Sequence, residues 1–117
     1  MNTLASGLSY IDLLFRGVPR VIATGVLHGK GGVALIDPGP SSTLPVLRRE
    51  LERAGIAMTD VTALLLTHIH LDHAGATGTL VRDNPRLRVF VHEVGAPHMV
   101  DPKRRAVEGV TEKRATA

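Results

Sequence analysis

The most informative part of the sequence is residues 68–73, His68-Ile69-His70-Leu71-Asp72-His73. It holds three of the six histidines of the chain, together with one carboxylate. An apolar run, Val61 to Leu66, precedes it, and Ala74-Gly75 follows, where the chain can turn. Imidazole nitrogen and carboxylate oxygen are the donors that suit zinc, iron or manganese. The stretch therefore predicts a metal site directly after a buried strand.

The alternation of side chains along an extended segment indicates which donors share a side. Residues at i and i+2 point the same way, so His68 and His70 can converge on one ion, and Asp72 continues that parity. His73 has the opposite parity and reaches the same neighbourhood only if the backbone turns, which Gly75 allows. This pattern favours two donors for one metal and two for an adjacent metal. The competing interpretation, surface or helix-capping polar residues after a buried strand, explains this spacing less well.

Composition excludes several classes of protein. With 117 residues, of which 44% are hydrophobic, the chain has the size of one globular domain and is not biased enough for disorder. No apolar stretch is long enough to span a membrane. Residues 1–7 lack the basic region and apolar core of a secretory signal, so we expect a cytoplasmic protein. The chain has no cysteine, which leaves His, Asp and Glu as the strong metal ligands.

The net charge of +3 does not indicate nucleic-acid binding. Residues 101–117 contain five Lys/Arg and three Asp/Glu, so this tail carries +2 of that charge. Aromatic residues make up 3% of the chain, and no basic stripe alternates with stacking residues. We therefore expect no nucleic-acid partner and no membrane partner. The tail is interpreted as basic and solvated, and as poorly ordered or helical.

The pattern of apolar residues and chain breakers predicts an α+β fold. The predicted elements are, in chain order, strands at 8–15, 20–27 and 33–36, a helix capped by Ser41 or Ser42 and running to about Ala54, a strand at 61–66, a helix at 75–82 and a strand at 87–92. The strand at 61–66, which is apolar except for Thr62, suggests burial on both of its faces. These elements predict a mixed sheet with helices on one face and no obvious cover for the other face.

In its histidine stretch and the strands around it, the chain resembles the metallo-β-lactamase-fold hydrolases. Residues 67–75 match the His-x-His-x-Asp-His signature of that superfamily. Residues 33–39 look like the strand and acidic turn that precede the signature, and residues 89–93 are similar to the strand that follows it. The match covers about residues 8–100 and is most like glyoxalase-two-type and related metallo-hydrolases. It implies that residues 1–100 form the N-terminal half of an αββα sandwich.

The resemblance also implies roles for single residues. His68 and His70 would bind a first metal, Asp72 and His73 a second, and Asp72 would in addition be the catalytic residue. Asp37 would lie behind the ligands and orient the loop, because a carboxylate behind a ligating imidazole fixes its tautomer. A complete site would hold two Zn²⁺ ions, with iron or manganese as alternatives. Metal-bound hydroxide would then hydrolyse an ester, thioester or phosphodiester in a small-molecule substrate.

Family members with a complete site carry a third histidine for the first metal, a bridging aspartate and a final histidine further downstream. We therefore expect the missing donors to come from a longer chain, a complementing C-terminal segment or a homodimer. The alternative is a non-catalytic metal-binding remnant or fragment of such an enzyme. Among the other histidines, His92 could approach the site from its strand, whereas His28 and His98 are expected to be solvated.

Overall fold

The computed structural model describes residues 1–67 and 74–91. Within those residues, six strands form one sheet whose spatial order follows the chain. The strands are β1 (Asn2–Ala5), β2 (Leu8–Asp12), β3 (Ala23–Gly29), β4 (Gly32–Ile36), β5 (Val61–Leu66) and β6 (Arg88–Val91). Strands β1 to β4 pair antiparallel, whereas β4 with β5 and β5 with β6 pair parallel. The predicted mixed sheet is confirmed.

Helices lie in the connections between the parallel strands, because parallel pairing requires a crossover. Helix α1 (Leu44–Arg53) joins β4 to β5 and buries Leu44, Leu47 and Leu51. Helix α2 (Thr77–Asp83) lies between β5 and β6 and buries Leu80. Gly55, at φ 77°, follows the end of α1 in the left-handed conformation that commonly ends a helix. None of the helices in the described part of the chain is long and apolar enough to cross a membrane.

The core lies between the helices and one face of the sheet. The central side chains of that face are no more than 1% exposed: Ile11, Val26, Leu35, Leu64 and Val89. They belong to the same cluster as the buried leucines of the helices, so the helices cover this face. Full burial of each such side chain contributes about 1.5–3 kcal/mol to folding.

The opposite face of the sheet, called the open face below, carries apolar side chains that are only half-buried. They are Leu8, Tyr10, Leu27, Ile36, Leu65 and Phe90. Register places Ile36 beside Leu65 and Leu65 beside Phe90, so these side chains form one continuous patch. The prediction that β5 is buried on both faces is therefore wrong for the described residues, because Ala63 and Leu65 are half-buried. Among residues 1–67 and 74–91, no helix covers this face, as predicted.

The strands differ from the sequence prediction mainly in the N-terminal part of the sheet. The strand β1 was not predicted, because all four of its residues are exposed and it has no apolar alternation. The strand predicted over 8–15 ends at Asp12, whose carboxylate accepts the backbone N–H of Leu14 at 3.0 Å and of Arg20 at 2.7 Å. Those two hydrogen bonds close the loop between β2 and β3, and β3 begins only at Ala23. The proposed division of the chain at residue 100 lies outside the described residues.

The predicted start of the first long helix is also wrong. Residues Ser41–Thr43 form a 3-10 turn, and α1 begins at Leu44 without a side-chain cap. The hydroxyl of Ser41 donates instead to the backbone oxygen of Gly75 at 3.2 Å. Ser41 therefore links remote parts of the chain and does not cap the helix that follows it.

Candidate functional site

The turn after β4, residues 37–41, forms the base of the candidate site. Asp37 opens this turn with φ 55°, a left-handed conformation that costs a non-glycine residue on the order of 1–3 kcal/mol. Its backbone is fixed on both sides: its N–H donates to the oxygen of Leu65 at 3.0 Å, and its oxygen accepts the hydroxyl of Thr24 at 2.8 Å. Asp37 is 7% exposed. These bonds hold the backbone in the conformation that directs its carboxylate.

The carboxylate of Asp37 holds the residue from which the histidine stretch begins. One oxygen accepts the backbone N–H of Thr67 at 2.8 Å, and the other accepts the hydroxyl of Thr67. Thr67 follows β5 and directly precedes His68. Because β4 and β5 are parallel, their carboxyl ends lie at the same edge of the sheet, which brings the two residues together. Hydrogen bonds to a charged acceptor contribute about 1.5–3 kcal/mol each.

The same turn also holds the chain on the far side of the histidine stretch. The N–H of Ala76 donates to the oxygen of Gly39 at 2.9 Å, and Ser41 donates to Gly75 as described above. Ala74 and Ala76 are 3% and 0% exposed, so this segment is packed as well as hydrogen-bonded. Residues 37–41 are called the anchoring turn below, because they fix both flanks of residues 68–73.

The anchoring turn is closely packed at Gly39. This glycine has φ 88°, and a Cβ atom there would lie 2.4 Å from Cδ1 of Leu13 and 3.2 Å from the hydroxyl of Thr43. Leu13 and Thr43 are themselves 0% and 2% exposed, and Thr43 donates to the oxygen of Pro40 at 3.2 Å. A side chain at residue 39 would therefore be excluded both by backbone conformation and by space.

The predicted site residues fall on both sides of the boundary of the described chain. Asp37 is described, and its contact with Thr67 places it next to the start of the histidine stretch. Outside the described residues lie His68, His70, Asp72, His73, His92 and His98. His28 lies in β3 and is exposed, as expected. Across residues 1–67 and 74–91, no three His, Asp or Glu side chains come together as a metal-binding group.

Sequence reasoning missed three residues that shape the site. Thr67 donates hydrogen bonds to both carboxylate oxygens of Asp37, and the only local signal was its position directly before the first histidine of the stretch. The roles of Gly39 and Ser41 depend on contacts with residues 75 and 76, more than thirty positions later. No local sequence pattern could have shown them.

The fold of this chain is similar to that of solved metallo-beta-lactamases. A motif mutant from Cronobacter sakazakii aligns with a TM-score of 0.72 and 28% identity, over 84% of this chain and 36% of that protein. A native enzyme from Legionella gormanii aligns with a TM-score of 0.70 over 80% of this chain and 33% of that protein. At 18% identity, this second likeness shows the fold alone.

The family follows from the sequence match. The family model described as the metallo-beta-lactamase superfamily matches residues 17–111, and the chain therefore belongs to that superfamily. A probable metallo-hydrolase of Methanocaldococcus jannaschii is 50% identical over 51 residues, which are 44% of this chain and 23% of that protein. A hydroxyacylglutathione hydrolase of Buchnera aphidicola is 37% identical over 65 residues, 56% of this chain and 24% of that protein.

The matches cover only part of each relative. They span about a quarter of the length of the two curated relatives and about a third of the solved structures. The resemblance predicted from residues 67–75 is confirmed, as is the α+β fold that represents part of an αββα sandwich.

Proposed function

We propose that this chain is the N-terminal, metal-binding part of a metal-dependent hydrolase. The observation that carries the proposal is the anchoring turn, which holds both flanks of the histidine stretch. Asp37 holds Thr67 before the stretch, and Gly39 and Ser41 hold residues 75–76 after it. A segment whose two flanks are fixed to one buried turn loses less conformational entropy when its side chains converge on an ion.

The chemistry of the donor set fits a divalent transition metal. His68 and His70 would hold a first ion, and Asp72 and His73 a second, with Zn²⁺ proposed and iron or manganese as the alternatives. Bound metal would supply the Lewis acidity that activates water and polarises the scissile group. Asp72 is proposed as both ligand and catalytic carboxylate.

Asp37 is proposed as a positioning residue. Its carboxylate binds the backbone and hydroxyl of Thr67, so it fixes the direction in which the chain leaves β5 and enters the stretch that begins at His68. Groups behind the ligands of a metal site typically change metal affinity by 10- to 100-fold when they are removed. The structure thus supports an indirect role for Asp37, through the backbone of residue 67.

The proposed substrate is a small molecule with an ester, thioester or phosphodiester bond. Support comes from the names of the relatives, a probable metallo-hydrolase and a hydroxyacylglutathione hydrolase.

A complementing C-terminal segment is proposed to cover the open face. Two observations support this: the face is apolar and only half-buried, and the chain spans about a third of the solved structures that share its fold. An apolar sheet face normally packs against a second layer. Sedimentation of the purified chain tests this proposal. A stable homodimer would contradict it, because a second copy of the chain would then cover the open face.

The proposal is tested by metal binding of four proteins: the unchanged chain, His70→Ala, Asp72→Ala and His28→Ala. Zn²⁺ titration followed by calorimetry should show that the first two variants lose most of the affinity. His28→Ala is the matched control, because His28 is exposed in a hairpin away from the stretch. Equal metal binding by all four proteins would contradict the proposal.

Activity is measured separately on ester, thioester and phosphodiester substrates, with and without a complementing C-terminal segment. Metal-dependent turnover that His70→Ala and Asp72→Ala abolish is the expected result. Metal binding without turnover of any substrate, even with the complementing segment, would favour the non-catalytic remnant.

A further inference from the structure

A cavity of about 260 Å³ lies at the opposite end of β5 from the histidine stretch. Val61, the first residue of β5, lines it, whereas Thr67 follows the last residue of that strand. Six residues of extended chain span about 20 Å. The cavity is therefore separate from the candidate metal site, and it lies on the helix side of the sheet.

The interior of this cavity is apolar and preformed. Its floor is made by Val61, Leu80 and Leu87, which are 3%, 3% and 2% exposed, and half-buried Met58 forms one wall. The side-chain amide of Asn84 donates to the backbone oxygens of Met58 at 3.4 Å and of Val61 at 3.1 Å. Because Asn84 already donates to these two backbone oxygens at the cavity wall, an apolar ligand would leave neither oxygen without a hydrogen-bond partner.

The mouth of the cavity carries an ion pair between the two helices. Arg48 of α1 binds the carboxylate of Asp83 at the end of α2, and the two side chains are 45% and 58% exposed. A guanidinium has five N–H donors. Within the described part of the chain, the hydrogen bond that Arg48 makes goes to Asp83 through one of its nitrogens. Arg48 therefore has donors available for an anionic group that enters the mouth.

We propose that this cavity binds a small aromatic carboxylate. The ring would lie on Leu80, Leu87 and Met58, and the carboxylate would bind the guanidinium of Arg48. The volume fits such a ligand, because a cavity of about 150 Å³ already holds benzene. Asp83 shares the same guanidinium, so it competes with the ligand and keeps the affinity low.

Sodium benzoate is the probe for this proposal, and its binding is followed by ¹H–¹⁵N NMR of the full chain. Saturable shifts are expected at residues 58, 80 and 87. Arg48→Met should weaken binding about tenfold, because it removes a charge-assisted hydrogen bond and leaves Asp83 to repel the ligand. Asp83→Asn should strengthen binding, since the competing carboxylate is gone. Opposite effects from the two halves of one ion pair would not arise from a structural role alone.

Two controls make the test specific. Arg49→Met removes an exposed arginine from the same helix and should leave benzoate binding unchanged, because Arg49 does not line the cavity. Benzyl alcohol, a neutral molecule of similar size, should bind equally to the unchanged chain and to Arg48→Met. The proposal is overturned by the absence of saturable shifts, by shifts centred elsewhere, or by an equal loss in Arg48→Met and Arg49→Met.

Discussion

Replacing Asp37 with asparagine tests the anchoring turn most directly. Asparagine has nearly the same shape and tolerates positive φ, so Asp37→Asn keeps the backbone at 55° without added strain. The change removes the negative charge that accepts both hydrogen bonds from Thr67. The variant therefore removes the charge and replaces one of the two acceptor oxygens with an NH₂ donor, while the side-chain volume and the backbone conformation stay nearly the same.

The expected cost follows from those two hydrogen bonds. Bonds to a charged group contribute about 1.5–3 kcal/mol and neutral ones about 0.5–1.5 kcal/mol, so losing the charge should lower the free energy of unfolding by about 2 kcal/mol. For a domain of this size, that lowers Tm by roughly 8 °C or more. Affinity for Zn²⁺ should fall by about 10- to 100-fold, because the start of the histidine stretch is no longer fixed.

Thermal unfolding by circular dichroism and Zn²⁺ titration by calorimetry measure the two effects. The matched control is Asp12→Asn, since the carboxylate of Asp12 also accepts two hydrogen bonds from the chain at a half-buried position. That control should lose a similar amount of stability and keep its metal affinity. If Asp37→Asn bound Zn²⁺ as tightly as Asp12→Asn does, the positioning role of Asp37 would be refuted.

Three further substitutions test the packing around the site. Gly39→Ala should lower the free energy of unfolding in urea by about 2–4 kcal/mol, because the new Cβ would lie 2.4 Å from Leu13. Gly17→Ala is the control: it has a similar φ but open space around it, so it should lower that free energy by only about 1–2 kcal/mol. Equal losses in the two variants would contradict the packing argument. Thr24→Val should lower the free energy of unfolding by about 1–3 kcal/mol, because the backbone oxygen of Asp37 loses its buried hydrogen-bond donor. Thr24→Ser keeps the hydroxyl, so a loss as large as that of Thr24→Val would argue against this bond. Leu64→Ala should lower the free energy of unfolding, measured by calorimetry, by about 2–5 kcal/mol, because Leu64 is fully buried. A smaller loss would mean that neighbouring side chains fill the space that the leucine leaves.

Local sequence patterns predicted the central strands well. The strand β5 has the predicted bounds, Val61–Leu66, and β4 begins one residue before the predicted 33–36. Both are short apolar runs that end at a clear signal, Asp37-Pro38 for β4 and the histidine stretch for β5. In contrast, β1 has four exposed residues and is identified only by its pairing with β2. An edge strand without a buried face has no alternation of apolar and polar residues, so its sequence gives no signal for a strand.

The sequence alone determined the family and the kind of donors, because three histidines and an aspartate at fixed spacing form a pattern that local reading detects. The identity of those donors as ligands stays a prediction. The contacts that fix the two flanks of residues 68–73 follow from the fold and not from the local sequence: Asp37 with Thr67 on one flank, and Ser41 with Gly75 on the other. The physical reason is that these partners are 30 and 34 residues apart, and the parallel pairing of β4 with β5 brings the ends of both strands to one edge of the sheet.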